Sequence, residues 1–90
     1  MTFRLNITQD CINRGTPNDG TECPIAHALL EAGFSNPHVF DNPNKENYFF
    51  IEFEKDGKEY KVFEPVLENW VDNFDEGNKV FPLSVEIEVD

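Results

Sequence analysis

Residues 23–34 read Cys23-Pro24-Ile25-Ala26-His27-Ala28-Leu29-Leu30-Glu31-Ala32-Gly33-Phe34. Pro24 stands where a helix tolerates proline best, at its first position, where the missing N–H would have no intrahelical acceptor. Gly33 is placed to end the helix in a left-handed conformation. Between these marks Ile25, Ala28, Leu29 and Ala32 recur three and four residues apart as a continuous apolar stripe. Glu31 alone is charged, so most of the helix surface is expected to be buried. In a small and very acidic chain, such a helix is what the strands must pack on.

Outward from this helix the pattern changes period. Toward the N-terminus, Thr2 to Thr8 alternates, with Phe3, Leu5 and Ile7 on one side and Arg4 and Asn6 on the other, which predicts a strand. Thr8 is a capping residue for a short helix over Gln9–Arg14, closed by Gly15. Thr16 to Glu22 carries Pro17, Asn18, Asp19 and Gly20 and reads as a polar loop. Toward the C-terminus, Ser35-Asn36-Pro37 marks the helix exit, His38-Val39-Phe40 a short strand and Asp41-Asn42-Pro43-Asn44 a turn.

The clearest hairpin lies in the middle. Asp56-Gly57 suits a two-residue type I′ turn between Tyr48–Lys55 and Lys58–Glu64. That turn sets the register: Lys55 opposite Lys58, Phe53 opposite Tyr60, Ile51 opposite Val62 and Phe49 opposite Glu64. Glu54 then meets Glu59, Glu52 meets Lys61 and Phe50 meets Phe63. Ile51, Phe53, Tyr60 and Val62 are expected to face the core, and Glu52, Glu54 and Glu59 the solvent. Pro65 opens a second long helix on which Val66, Leu67, Trp70, Val71 and Phe74 share a face. Glu68, Asp72, Asp75 and Glu76 lie off that face, and Gly77 ends the helix. Phe81 to Val89 alternates again, with Phe81, Leu83, Val85, Ile87 and Val89 on one side and Glu86, Glu88 and Asp90 on the other. Arg4 is a partner for one of these acids if the first and last strands are neighbours. The whole reads as a single α+β domain over residues 1–90, a mostly antiparallel sheet with two or three helices on one face.

Ninety residues bury roughly two-thirds of their unfolded surface, enough for one modest core. Nine phenylalanines with Trp70, Tyr48 and Tyr60 supply much of it. The formal net charge is −11 and unevenly placed. Residues 1–40 hold four acids against two arginines, and residues 41–90 hold fourteen acids against five lysines. Such a field repels nucleic acid and anionic membrane and attracts basic protein surfaces; the alternative is that the charge serves solubility alone. The opening residues lack a basic start and apolar run, and no apolar stretch approaches a membrane span, so a cytoplasmic location in a host cell is expected. Two cysteines without a secretory leader are expected to be reduced thiols.

Ile7-Thr8-Gln9, Ile12-Asn13-Arg14-Gly15 and Cys23-Pro24-Ile25-Ala26-His27-Ala28-Leu29 resemble a group of small uncharacterised proteins from bacteriophages and bacteria. That group has a strand ending in I-T, a short helix ending in R-G and a Cys-Pro-hydrophobic-Ala helix. Trp70-Val71, Phe74-Asp75-Glu76-Gly77 and Val80-Phe81-Pro82 are similar to its W-x-x-x-F-D-x-G-x-x-V-x-P ending. The resemblance covers both ends of the chain and not the middle hairpin. It implies an origin among phage accessory genes and no established activity; Cys11 and His27 depart from the pattern.

Cys11, Cys23, His27 and His38 are the only soft metal ligands, and their spacings fit no usual zinc module, so no metal is expected. Cys23 at a helix N-terminus with His27 one turn on has the makings of a thiol–imidazole pair, without a recognisable orienting group or oxyanion hole. The first turn of that helix, with Arg14, Thr21 and Cys23, is a candidate anion site. Residues 72–77 superficially resemble a calcium loop, but Phe74 and Leu83 stand where ligands are needed. Acid pairs mean little at this acid density, and dinucleotide and phosphate-loop motifs are absent. Trp70 and Phe74 read as core. The leading expectation is therefore a non-catalytic protein without cofactor that binds and inhibits a basic host protein, as an anti-CRISPR or other anti-defence factor mimicking nucleic acid. Its partner-binding residues would be Glu52, Glu54, Glu59, Glu68, Asp72, Asp75 and Glu76. A small-ligand binder sequestering a nucleotide signal at the central helix is the alternative, and an enzyme using Cys23 the third reading.

Overall fold

In the structure, a computed structural model describing residues 1–41 and 49–89, the central helix runs from Pro24 to Glu31. The order is β1 (Thr2–Ile7), α1 (Gln9–Arg14), α2 (Pro24–Glu31), β2 (Ser35–Asp41), β3 (Phe49–Lys55), β4 (Lys58–Val62), α3 (Pro65–Asp75) and β5 (Leu83–Glu88). The fold is α+β, as the alternation of periods predicts. Its antiparallel strands divide between a two-stranded sheet, β1-β5, and a three-stranded sheet, β2-β3-β4.

Helix α2 joins the two sheets, packing against β1 and β2 as well as α1. It buries Pro24, Ile25, Ala26, Ala28 and Leu29. Rings complete the junction. Phe34, just after the helix, lies 4.6 Å from Phe3 of β1 and 4.6 Å from Phe53 of β3, and Tyr60 stacks on Phe53 at 5.6 Å. Leu5, Ile7, Ile51, Leu67, Val71 and Ile87 fill the rest of the core.

Local chemistry explains the boundaries. Thr8 caps α1, its hydroxyl oxygen accepting the Cys11 N–H. Gly15 closes that helix, though in extended geometry at φ −70° rather than left-handed; it is glycine because the Pro24 ring lies against it. Ala32 caps α2 and Gly33 takes the left-handed turn at φ +96°. Strand β2 already includes Ser35-Asn36-Pro37, with a register shift against β3 between Ser35 and His38. Asn42 to Asn44 of the expected turn, and Tyr48, lie outside the described residues.

The hairpin has the expected register, from Lys55↔Lys58 through Ile51↔Val62. Its ladder stops at Val62, so Phe49 does not reach Glu64 and Phe50 does not pair with Phe63. Glu64 serves α3 as N-cap instead, and Phe63 stays half exposed, edge-on to Phe49. On α3, Leu67, Val71 and Phe74 are buried, whereas Val66 is 52 % exposed, because among the described residues no element covers that side of the first turn. Phe81 is likewise 65 % exposed and precedes β5. The Trp70 indole N–H donates to its carbonyl at 2.9 Å and holds that backbone out of the ladder. Arg4 does meet the last strand, standing opposite Glu86 at 3.6 Å. Finally, the loop before α2 closes one sheet edge: the Val39 N–H, turned away from β3, donates to the Gly20 carbonyl at 2.8 Å.

Candidate protein-docking face

The outer face of the three-stranded sheet follows from strand parity. Phe49, Ile51, Phe53, Val39 and Val62 point inward and are buried. His38 and Phe40 on β2, Phe50, Glu52 and Glu54 on β3, and Glu59 and Lys61 on β4 therefore share the opposite face. The register lines them up in rows: His38, Glu52 and Lys61 across all three strands, Phe40 beside Phe50, and Glu54 beside Glu59. Glu52 and Glu54 are half-buried and Glu59 is exposed.

An aromatic row runs through this face. His38 stacks on Phe40 at 3.8 Å, Phe40 on Phe50 at 4.6 Å, and the Lys61 ammonium lies 3.9 Å from the Phe50 ring centre. The acids flank it. Glu52 has Lys61 for a neighbour, and the Asn36 amide donates to Glu54 at 2.8 Å. Glu54 and Glu59 face each other as like charges, an arrangement that costs rather than stabilises. Alternation in His38-Val39-Phe40 puts His38 and Phe40 on one face, but only the strand order reveals that the face belongs with Phe50 and Lys61.

The helix acids form a separate group. Glu68, Asp72 and Asp75 are half-buried and Glu76 is exposed. Asp75 accepts the Asn18 N–H at 2.9 Å and so ties α3 to the loop before α2. Burial raises its carboxyl above the ordinary value, the Asn18 amide opposes, and the nearby Asp72 charge adds to the rise. Glu76 accepts from Asn78 at 3.4 Å. Among the described residues no hydrogen bond or ion pair links the helix acids to the hairpin acids.

The candidate anion residues are engaged elsewhere. Arg14 donates to Asp10 and to Glu31, both at 2.8 Å. Thr21 directs its N–H and hydroxyl to Asp19, and these bonds hold the Asp19 carboxyl below its ordinary value. Cys23 is 2 % exposed. Burial pushes its thiol up to about 11 against the pull of the Ala26 and Ile25 amides, the reverse of what an activated nucleophile needs. The His27 Nε2 is buried without a hydrogen bond, 3.6 Å from Glu22. Cys11, whose role sequence spacing did not reveal, donates its thiol to Glu31 at 2.9 Å and accepts from the Thr8 hydroxyl; burial raises its pKa. It fastens α1 to α2.

Two shallow clefts, of about 490 and 640 Å³, contain none of the acids of either group. Among the described residues no cluster of three or more His, Cys, Asp or Glu is placed to hold a metal ion, and no helix is long and apolar enough to cross a membrane. No family model matches the chain, and neither a curated protein nor a solved structure matches it.

Proposed function

We propose that this chain is a non-catalytic acidic binding protein that docks the outer face of its three-stranded sheet on a basic protein surface. The observation that carries the reading is the placement of Glu52, Glu54 and Glu59 on one face of a sheet, beside a row of rings at the end away from the turn. Protein interfaces are enriched in aromatic side chains. Here three acids adjoin the rings, and the net charge of −11 directs the face toward cations. A protein groove that otherwise holds nucleic acid offers such cations, spaced for phosphates, so the role is inhibition by occupancy. The resemblance to phage accessory proteins fits an anti-defence role of this kind, in the cytoplasm of the host, with anti-CRISPR activity as one form. Glu68, Asp72, Asp75 and Glu76 add to the field that speeds encounter, and Asp75 also holds the loop.

The test uses the heparin-binding protein fraction of a bacterial host, passed over immobilised protein. Retention of a defined nuclease or DNA-binding protein, its release by duplex DNA, and its loss in a Glu52→Lys/Glu54→Lys/Glu59→Lys variant support the reading. Retention unchanged by the three reversals and by added salt would sink it, since exposed charges are screened over about 8–10 Å.

A further inference from the structure

Strand β4 is the outer strand of its sheet, bonded to β3 on one side. The two-residue turn decides which of its backbone groups are used. Lys55 and Lys58, closing the turn, exchange hydrogen bonds; so, two residues on each time, do Phe53 with Tyr60 and Ile51 with Val62. The N–H and C=O groups of Glu59 and Lys61 therefore point away from β3, and among the described residues they have no partner.

These two residues are also opposite in charge and symmetric about Tyr60. We infer that β4 pairs antiparallel with β4 of a second copy, centred on Tyr60, with Glu59 opposite the partner's Lys61 and Lys61 opposite the partner's Glu59. Parity and charge agree on this register. Centring on Tyr60 makes the two Glu–Lys pairs the hydrogen-bonded ones, because theirs are the groups that point outward. A slip of one residue sets outward-pointing groups against groups already bonded to β3, and a slip of two sets Lys61 against Lys61 or Glu59 against Glu59.

The pairing resolves a local imbalance. Within one copy Glu59 faces Glu54 and makes no ion pair among the described residues, while Lys61 lies across from Glu52. In the dimer each Glu59 gains an ammonium on its open side, as favourable cross-strand pairs require. Charged residues on an edge strand commonly ward off pairing with arbitrary strands. The sequence Glu59-Tyr60-Lys61 is the case in which that protection fails only against itself. The two-fold axis stands perpendicular to the sheet, so both outer faces lie on one side. Six strands would then present Glu52, Glu54 and Glu59 twice over as one continuous surface. Dimerisation involves this chain alone and requires no basic partner.

Opposing it is mutual repulsion of two bodies of −11 each, so dimerisation is expected to strengthen with salt. Sedimentation velocity from about 10 µM to about 1 mM should show a monomer–dimer equilibrium. Lys61→Glu and Glu59→Lys should each weaken it at least about tenfold in Kd, and the combined exchange should restore it. Hydrogen exchange on the unaltered protein gives a second reading. The Glu59 and Lys61 amides should gain protection as concentration rises, while those of Tyr60 and Val62 are protected throughout. A monomer at every concentration overturns the inference. So does a dimer that survives both single reversals, or one formed without protection at Glu59 and Lys61.

Discussion

A methyl group added at Gly15 would lie 2.5 Å from two carbons of the Pro24 ring, and one at Gly20 would press still closer on the Val39 carbonyl oxygen. Neither position demands left-handed backbone, so the cost of alanine there is a matter of space. Gly15→Ala and Gly20→Ala should each lose about 1–3 kcal/mol, the range of overpacking, with Gly20 the worse because its neighbour is backbone. At Gly57 there is open space but φ is +79°, and alanine should cost about 1–2 kcal/mol through strain alone. Urea melts of the three variants check the ordering; an unperturbed Gly20→Ala would mean that the loop is not seated on β2. Cys23 gives a pH signature. The folded thiol keeps its proton to about pH 11 and the unfolded one releases it near 9.0, so the contribution is whole below pH 9 and is lost as pH rises to 11. The loss amounts to roughly 3 kcal/mol, and Cys23→Ala should flatten the alkaline limb of a stability–pH curve measured beside the parent. Asp75 acts with the same sign at the acid end. Its folded carboxyl is raised, so acidification through its pKa favours the folded state, and Asp75→Asn should remove that gain while keeping an acceptor for the Asn18 N–H.

At the scale of elements, what the chain reveals by itself depends on how far apart the deciding residues lie. Asp56-Gly57 determines the β3–β4 register from two adjacent residues, and the observed pairs follow it to Val62. Cross-strand proton contacts between Phe53 and Tyr60, and between Ile51 and Val62, should appear in NMR spectra; contacts displaced by one residue would turn the acids inward. The division into two sheets was not legible, because it rests on Phe34 sending β2 back along α2 and on β1 meeting β5 across the whole chain. Periodicity gives the side on which a residue stands, not whether anything arrives to cover it. Val66 and Phe81 have the right period and remain in solvent. The acids of the proposed docking face were legible for the same reason the hairpin was. The ring row beside them was not, since His38 and Phe40 acquire meaning only as neighbours of Phe50.

The whole molecule carries 18 acids against seven lysines and arginines, and its ion pairs are mostly at the surface. Self-repulsion should therefore cost stability at low ionic strength, and salt should raise Tm; a Tm indifferent to sodium chloride would show the acids to be spaced widely enough not to matter. The bond from Val39 to Gly20 has a consequence at this scale too. A sheet with two open sides is a template for endless growth, since each added chain exposes the next place to add another. Here the β2 side has its Val39 donor already occupied, and Pro37, two residues earlier, has no N–H to offer. Any stacking of chains through the three-stranded sheet has one end that accepts and one that refuses. Concentrated solutions of the protein should stay clear and bind no amyloid dye, whereas loosening the Gly20 loop should let fibres form.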